Sequence, residues 1–179
     1  MRKLFIILSF LPGFVFAQHP AVIFFDSLLQ KQAAKGFSGV VLVAEKGNPV
    51  YQKAIGYREF ANKLPLKETD IFEMASVSKQ FTAIIIMMLK EKGLFSYDEL
   101  VEKYLVIPYK GITIRHLLTH TSGLPDYQDI MDKYWDKTKV AGNADCIAYL
   151  NKYAPTKLFE PGAKYTYSNT GYLLLASIA

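Results

Sequence analysis

The fold of this chain is decided by the stretch MASVSKQFTAIIIMMLKEKG, which occupies residues 74–93. Its middle, residues 81–89, is apolar on every face of a helix, and Gly93 supplies a stop signal. The pattern predicts a helix over residues 76–92 that is buried at the centre of a domain. Ser76-Val77-Ser78-Lys79, at the beginning of this helix, is the only S-x-x-K sequence in the chain.

The positions of Ser76 and Lys79 allow them to react together. Residues three apart share a helix face, so the hydroxyl and the amine can lie side by side. If Ser76 were only an N-cap, a capping box would place Glu or Gln at position 79. Lysine there puts a cation at the positive end of an apolar helix, at a cost of roughly several tenths of a kcal/mol. Both effects favour a neutral amine that can accept a proton from serine. These residues alone leave the catalytic and capping interpretations about equally open.

A second polar cluster, Tyr167-Ser168-Asn169, lies between an extended segment over residues 164–167 and an apolar helix that begins at residue 170. Tyr167 and Asn169 are two apart on extended backbone, so their side chains point the same way. A phenol beside a cationic lysine could relay a proton, and a carboxamide could bind a substrate amide. The alternative is that Tyr167 is an ordinary tyrosine and Asn169 an N-cap, and in isolation the residues favour it.

In combination, Ser76-x-x-Lys79 and Tyr167-x-Asn169 resemble the motifs of the serine β-lactamase and penicillin-binding superfamily. The pattern is similar to the branch of class C β-lactamases and D-alanyl-D-alanine carboxypeptidases, where the second motif is Y-x-N. The class A branch carries S-D-N at that point. Further stretches with the same resemblance are GVVLVA (residues 39–44), LLTHTSGLP (residues 117–125) and FEPG (residues 159–162).

The resemblance implies an α+β, β-lactamase/transpeptidase-like fold, with an antiparallel sheet flanked by helices, an all-helical subdomain and the C-terminal strands missing. It also implies an acyl-enzyme mechanism without a cofactor. Ser76 would attack the carbonyl of a lactam, a D-alanyl peptide or an ester, and Lys79 and Tyr167 would share the proton transfers. Asn169 would hold the substrate amide, and the Ser76 N–H would be one oxyanion donor. Tyr127 and Asp126 would line the rim of the pocket.

The superfamily's third motif, a K-T-G-like or H-x-G triplet on a strand, does not follow Asn169 in this sequence. The last apolar helix also reaches Ala179 without a cap or a polar turn. We therefore expect a C-terminal portion to be absent. Because loss of one oxyanion donor typically lowers the rate about a hundred- to thousandfold, we expect this chain to be poorly active or inactive. The competing hypothesis is a non-catalytic, penicillin-binding-like recognition protein that lacks the third motif.

The N-terminus predicts export. Residues 1–17 combine a basic start, an apolar core broken by Pro12-Gly13, and a small-residue cleavage pattern that ends at Ala17, which together indicate a secretory signal peptide. Residues 18–179 would then be the N-terminal portion of a hydrolase domain in the bacterial periplasm or the medium, with no membrane span after removal of the signal. Its substrate would be a small molecule or a peptidoglycan-derived peptide.

Charge and histidine placement weigh against other chemistries. The formal net charge of +5 falls to +3 without Arg2 and Lys3, and scattered lysines argue against nucleic-acid binding.

His116 and His120 are four apart, but no H-E-x-x-H pattern or third ligand accompanies them, so we expect no metal site. His120 follows a predicted helix, where the C-terminal dipole favours a partly cationic imidazole. Cys146 is predicted to be a small buried apolar residue.

Periodicity predicts the remaining elements. The first helix is expected over residues 22–34, followed by a hairpin whose first strand, residues 39–44, would be buried on both faces. Its second strand would cover residues 50–57. Shorter helices are expected over residues 97–105, 114–119 and 145–152.

Overall fold

The structure, a computed structural model, describes residues 20–179, and the predicted signal peptide lies outside the described residues. The chain divides into two compact units between Glu73 and Met74. All the predicted site residues belong to the second unit.

The first unit contains a helix and a hairpin, as the sequence predicts. Its elements are α1 (Pro20–Ala33), β1 (Gly39–Glu45), β2 (Asn48–Ile55), β3 (Tyr57–Glu59) and β4 (Leu64–Pro65). β1 and β2 pair antiparallel with an irregularity between Val43 and Ala44. α1 is fixed to β2 by Asp26, which accepts hydrogen bonds from Tyr51 Oη at 2.8 Å and Lys53 Nζ at 2.6 Å.

The expectation that the first strand is buried on both faces is wrong. Gly39 is its only buried residue, and Leu42 is 57% exposed. A two-stranded sheet with one helix against it has too little neighbouring structure within its own unit to cover two faces.

The second unit is mainly helical. It contains a 3₁₀ turn at Ala75–Val77, α2 (Ser78–Glu91), a 3₁₀ turn at Val101–Lys103, α3 (Ile114–Leu118), α4 (Tyr127–Tyr134), α5 (Asn143–Tyr153) and α6 (Asn169–Ile178). The helices predicted over residues 76–92, 114–119, 145–152 and from 170 onward are confirmed. The sequence did not predict α4.

The prediction of a helix over residues 97–105 is wrong, since this segment forms only the 3₁₀ turn at Val101–Lys103. Leu100 is extended and forms an antiparallel bridge with Thr113, and the Val101 N–H donates to the Ile112 carbonyl at 2.8 Å. The backbone groups that a helix would have used internally are paired with the segment before α3.

The hydrophobic core of this unit lies between α3, α5 and α6. Its most completely buried side chains are Ile86, Val101, Ile112, Ile114, Leu117, Leu150, Leu174 and Leu175. Cys146 is buried beside this cluster as a free thiol, which confirms its predicted environment. Burial raises the pKa of that thiol.

α2 differs from its prediction in burial. Ile86 is its only buried residue, while Phe81, Ile84, Ile85 and Met88 are between 47% and 56% exposed. α2 is apolar on every face, but within its own unit it packs on the core through the stripe that contains Ile86, and most of its other apolar side chains stay exposed. Among residues 20–179, none of the helices combines the length and apolarity needed to cross a membrane.

Candidate active site

The candidate nucleophile lies in a strained turn directly before α2. Ala75 has a φ of 44°, in the left-handed region that residues with a Cβ rarely adopt. The Ser78 hydroxyl donates to the Ala75 carbonyl at 2.6 Å and braces this turn. The N-cap of α2 is Val77, and no side-chain cap bond forms there, so Ser76 is not a capping serine. The first backbone hydrogen bond of the turn is donated by the Val77 N–H to the Met74 carbonyl. The Ser76 N–H lies one residue before that donor.

The hydroxyl of Ser76 lies between the two predicted proton carriers. Tyr167 Oη is 2.7 Å from Ser76 Oγ, and Lys79 Nζ is 3.2 Å from the same oxygen. Both distances lie within the reach expected for direct proton transfer. The three residues that the two motifs single out thus converge on one atom.

Lys79 also bonds to Asn169, whose Oδ1 accepts from Nζ at 2.9 Å. The same nitrogen lies 4.8 Å from the ring centroid of Tyr167 and 5.8 Å from that of Tyr172. Two aromatic rings and a carboxamide oxygen therefore lie close to the amine in addition to Ser76 Oγ.

The carboxamide of Asn169 has a defined orientation. Its nitrogen donates to Asp126 Oδ2 at 3.0 Å and to Gln128 Oε1 at 3.1 Å, so its oxygen must face Lys79. Asn169 is the first residue of α6, and the side chain that caps this helix belongs to Ser168, which accepts from the Gly171 N–H at 3.0 Å. Asn169 is therefore not the N-cap that the sequence alternative proposed.

Asp126 connects this carboxamide to α4. Its Oδ1 accepts from the Gln128 N–H at 3.0 Å as the N-cap, while its second oxygen holds Asn169. Tyr127 is partly buried against the core, and its backbone N–H donates to Thr170 Oγ1 at 2.8 Å. A role for Tyr127 at the pocket rim stays a prediction.

The electrostatics of the site favour an ionisable phenol. A hydrogen bond with Lys79, followed by the one with Ser76, lowers the pKa of Tyr167 below its ordinary value. Tyr167 is 47% exposed, so solvent screens part of this effect.

The histidines have structural partners. His116 completes a capping box for α3 by accepting from the Thr113 N–H at 3.2 Å. His120 accepts from the Ser168 N–H at 3.0 Å, and burial, with a smaller contribution from Lys79, lowers its pKa. The expectation of a partly cationic His120 is therefore wrong, because Nδ1 accepts a hydrogen bond and burial disfavours the charged imidazole. In the part of the chain that the structure describes, no three His, Cys, Asp or Glu side chains form a group that could hold a metal.

Sequence reasoning missed three contributors to the site: Asp126 as the partner of Asn169, Gln128 beside it, and His120 beside Tyr167. Asp126 directly before a helical turn could have been recognised as an N-cap. Its second contact, 43 residues along the chain, leaves no local pattern.

The fold and the arrangement of these motifs define the class of protein as β-lactamase/transpeptidase-like. The Beta-lactamase family matches residues 25–179, and the chain belongs to this family. It is 46% identical over 155 residues to penicillin-binding protein 4* of Bacillus subtilis, a match that covers 86% of this chain and 34% of that protein. The chain thus spans about a third of the length of the curated relatives it matches.

Two solved structures show the same fold. A penicillin-binding protein from Bacillus halodurans superimposes with a TM-score of 0.71 at 33% identity, over 84% of this chain and 47% of the other. The D-amino acid amidase of Ochrobactrum anthropi SV3 superimposes with a TM-score of 0.66 at 28% identity, over 85% of this chain and 42% of the other. The β-lactamase/transpeptidase fold predicted from the sequence is confirmed.

Proposed function

We propose that this chain carries the nucleophile of an exported serine hydrolase that forms an acyl-enzyme on Ser76. The observation that carries the proposal is the convergence of Tyr167 Oη and Lys79 Nζ on Ser76 Oγ, at 2.7 and 3.2 Å. A serine is a weak nucleophile at neutral pH and needs an adjacent group to accept its proton. Here two candidate acceptors lie in contact with it.

The reaction proceeds in two steps. Ser76 Oγ attacks the substrate carbonyl carbon, and its proton passes to the pair formed by Tyr167 and Lys79. The tetrahedral intermediate collapses, the bond to the leaving group breaks, and the pair returns the proton to the leaving nitrogen or oxygen. Water then adds to the ester carbonyl and gives a proton to the same pair. The bond between Ser76 Oγ and the carbonyl carbon breaks, the pair returns the proton to Oγ, and the acid leaves.

Tyr167 and Lys79 act jointly in this scheme. The lowered pKa of Tyr167 increases the fraction of phenolate, which accepts the serine proton, and the nearby Lys79 stabilises that anion. Proton transfers within such a pair belong to the pair rather than to either residue.

Asn169 and the Ser76 N–H position the substrate. The carboxamide of Asn169 is held through its nitrogen by Asp126 and Gln128, which leaves a second lone pair on Oδ1, beside Lys79, to accept from a substrate amide N–H. The amide of Ser76, which precedes the first bond of the helical turn, supplies one oxyanion donor. Tyr127 lines the rim of the pocket.

The relatives support the proposed substrate class. The names of the similar proteins refer to penicillin binding and to a D-amino acid amidase. We infer that this site takes a lactam, a D-alanyl peptide or a related ester, as a small molecule or as a peptidoglycan-derived peptide. Export through the predicted signal peptide, residues 1–17, would place it in the periplasm or outside the cell, where such substrates occur.

Covalent labelling tests the proposal. The protein, with any residues that its gene encodes beyond Ala179, is incubated with a fluorescent penicillin and with a fluorophosphonate. We expect labelling that Ser76→Ala abolishes and that Ser96→Ala, which alters an exposed serine outside the site, leaves intact. Absence of labelling in the folded protein would favour a non-catalytic recognition protein and contradict the proposal.

A further inference from the structure

The backbone on both sides of Tyr167 is bonded to one residue, His120. The Thr166 N–H donates to the His120 carbonyl at 2.9 Å, and the Ser168 N–H donates to His120 Nδ1 at 3.0 Å. The two amides that flank Tyr167 are thus both fixed by a residue from the loop after α3.

The imidazole also holds the Tyr167 ring. The centroid of the imidazole lies 4.7 Å from the centroid of the Tyr167 ring, and the two ring planes are inclined by 28°, so the rings are stacked. Tyr172 of α6 lies 5.0 Å away and Tyr165 lies 5.8 Å away, so the imidazole is packed among three tyrosines. His120 itself has a φ of 57°, a left-handed conformation that aims its side chain at this segment.

The bond from Ser168 determines the protonation state that this arrangement requires. A nitrogen that accepts an N–H carries no hydrogen, so the imidazole is neutral with its hydrogen on Nε2. A proton on Nδ1 would place two N–H groups face to face and break the contact. The titratable groups that face the imidazole are Lys79 of α2, Tyr165 and Tyr167 of the extended segment, and Tyr172 of α6.

We propose that neutral His120 is the positioning residue for Tyr167: it fixes the backbone before and after the tyrosine and stacks on its ring, so that Tyr167 Oη stays on Ser76 Oγ. This inference rests on the proposed function, because positioning matters only if Tyr167 takes part in the acylation of Ser76. It adds a requirement for neutral His120 to the requirements for Ser76, Lys79 and Tyr167.

The requirement makes acylation sensitive to acid. Burial first, and Lys79 second, hold the pKa of His120 below its ordinary value of 6.5, so the neutral form predominates at neutral pH. As the pH falls through this lowered pKa, the imidazole gains a proton on Nδ1 and releases Ser168. Acylation should decline over the same range.

Two variants separate this role from a structural one. His120→Ala removes the acceptor and the stacked ring. His120→Asn keeps an acceptor at the same distance along the side chain and tolerates the positive φ, but it does not titrate. The measurement is the acylation rate constant for a fluorescent penicillin at saturating and subsaturating probe, from pH 5 to 8, with thermal melts as the folding control.

We expect His120→Ala to slow the acylation step about ten- to a hundredfold with little change in probe affinity, as displacement of a reacting group does. His120→Asn should recover most of the rate and lose part of the decline in acid. Equal slowing in both variants, a wild-type rate in His120→Ala, or identical pH profiles for wild type and His120→Asn would overturn the proposal. If His120→Ala does not fold, the comparison of the pH profiles of wild type and His120→Asn still tests the proposal.

The failure of this inference can be distinguished from failure of the proposed function. If the wild type is never acylated at Ser76, the proposed function is wrong, whatever the state of His120. The ¹⁵N shifts of the His120 ring can be measured without any substrate, and they should show a neutral ring with its hydrogen on Nε2 at pH 7. A cationic ring, or a hydrogen on Nδ1, would contradict the positioning role regardless of activity.

Discussion

At the residue scale, the site depends on which groups share the oxygen of Ser76. Tyr167 Oη is the nearer neighbour at 2.7 Å, and Lys79 Nζ is also bonded to Asn169 Oδ1 at 2.9 Å. The amine therefore links the nucleophile to the carboxamide that is proposed to hold the substrate. Removal of the amine should affect proton transfer more than it affects binding.

Lys79→Met tests that link. We expect the acylation rate constant to fall about a hundred- to ten-thousandfold, because a positioned proton carrier is lost while the side chain keeps a similar length. The measurement is single-turnover acylation followed by probe fluorescence. Lys90→Met, in the last turn of the same helix, is the matched control and should acylate normally. An unchanged rate in Lys79→Met would remove this assignment.

Asp126→Asn tests how the carboxamide of Asn169 is oriented. The new side chain can still cap α4 through its oxygen, but its nitrogen would face the nitrogen of Asn169. We expect acylation to slow about tenfold or more with little loss of thermal stability, since one partly buried acceptor is lost and the cap is kept. Asp129→Asn removes an exposed carboxylate from the first turn of α4 and is the control. Equal effects of the two substitutions would show that the orientation of Asn169 does not depend on Asp126.

The spacing within each motif predicted that Ser76 lies beside Lys79 and that Tyr167 and Asn169 point the same way, and the resemblance to the β-lactamase superfamily joined the two pairs into one predicted site. Lys79 is three residues after Ser76 at the start of α2, and Asn169, the first residue of α6, is two residues after Tyr167. The contacts of His120 with Ser168 and of Asp126 with Asn169 join residues 48 and 43 positions apart. They depend on how the loop after α3 turns, which no periodicity encodes.

At the element scale, the loop between α3 and α4 supports the site because it carries both His120 and Asp126. Its turn passes through Gly123, which has a φ of 71° and lies close to the next backbone segment. A Cβ built on Gly123 would be 2.1 Å from the Phe159 carbonyl oxygen. Only glycine fits this close approach.

Gly123→Ala should therefore destabilise the protein strongly. We expect a loss of roughly 3 kcal/mol or more in the free energy of unfolding, from the unfavourable φ and the backbone overlap together. Gly111→Ala is the matched control, since Gly111 has a φ of 77° but open space around its Cβ position. That variant should lose only about 1–2 kcal/mol. Urea denaturation measures both, and equal losses would show that the contact with Phe159 is unimportant.

The helices with the most apolar sequences were predicted better than the more polar one. α2, α5 and α6 were expected near their observed bounds, whereas α4 was missed because its short sequence, YQDIMDKY, has four polar or charged residues in eight and begins at the Asp126 cap. Burial was harder to predict than helicity. The apolar side chains of α2 and β1 indicate which surfaces could be buried, but the sequence does not indicate which neighbouring elements bury them.

At the scale of the whole molecule, the buried apolar side chains are unevenly divided. The core cluster runs from Ile86 to Leu175, entirely within the second unit. In the described part of the first unit, residues 20–73, the buried hydrophobic side chains are Leu29 and Tyr51. The structural support of the candidate site is therefore concentrated in the unit that contains it.

Amide hydrogen exchange should reproduce this division. We expect the slowest exchange in α3, α5 and α6, whose side chains form the core, and faster exchange in the β1–β2 hairpin, since an isolated two-stranded sheet is marginally stable. Exchange followed by mass spectrometry at neutral pH measures the protection of each segment. A hairpin as strongly protected as α6 would contradict the expected division of stability.

The most direct measurement is the location of the acyl group after reaction with a penicillin. Trypsin cleavage after Lys67 and Lys79 releases residues 68–79, a peptide that contains both Ser76 and Ser78. We expect fragmentation of this peptide to place the penicilloyl mass on Ser76, and the adduct to be absent from Ser76→Ala although Ser78 remains. An adduct on Ser78, or an unmodified peptide from folded protein at saturating penicillin, would contradict the assignment of Ser76 as the nucleophile.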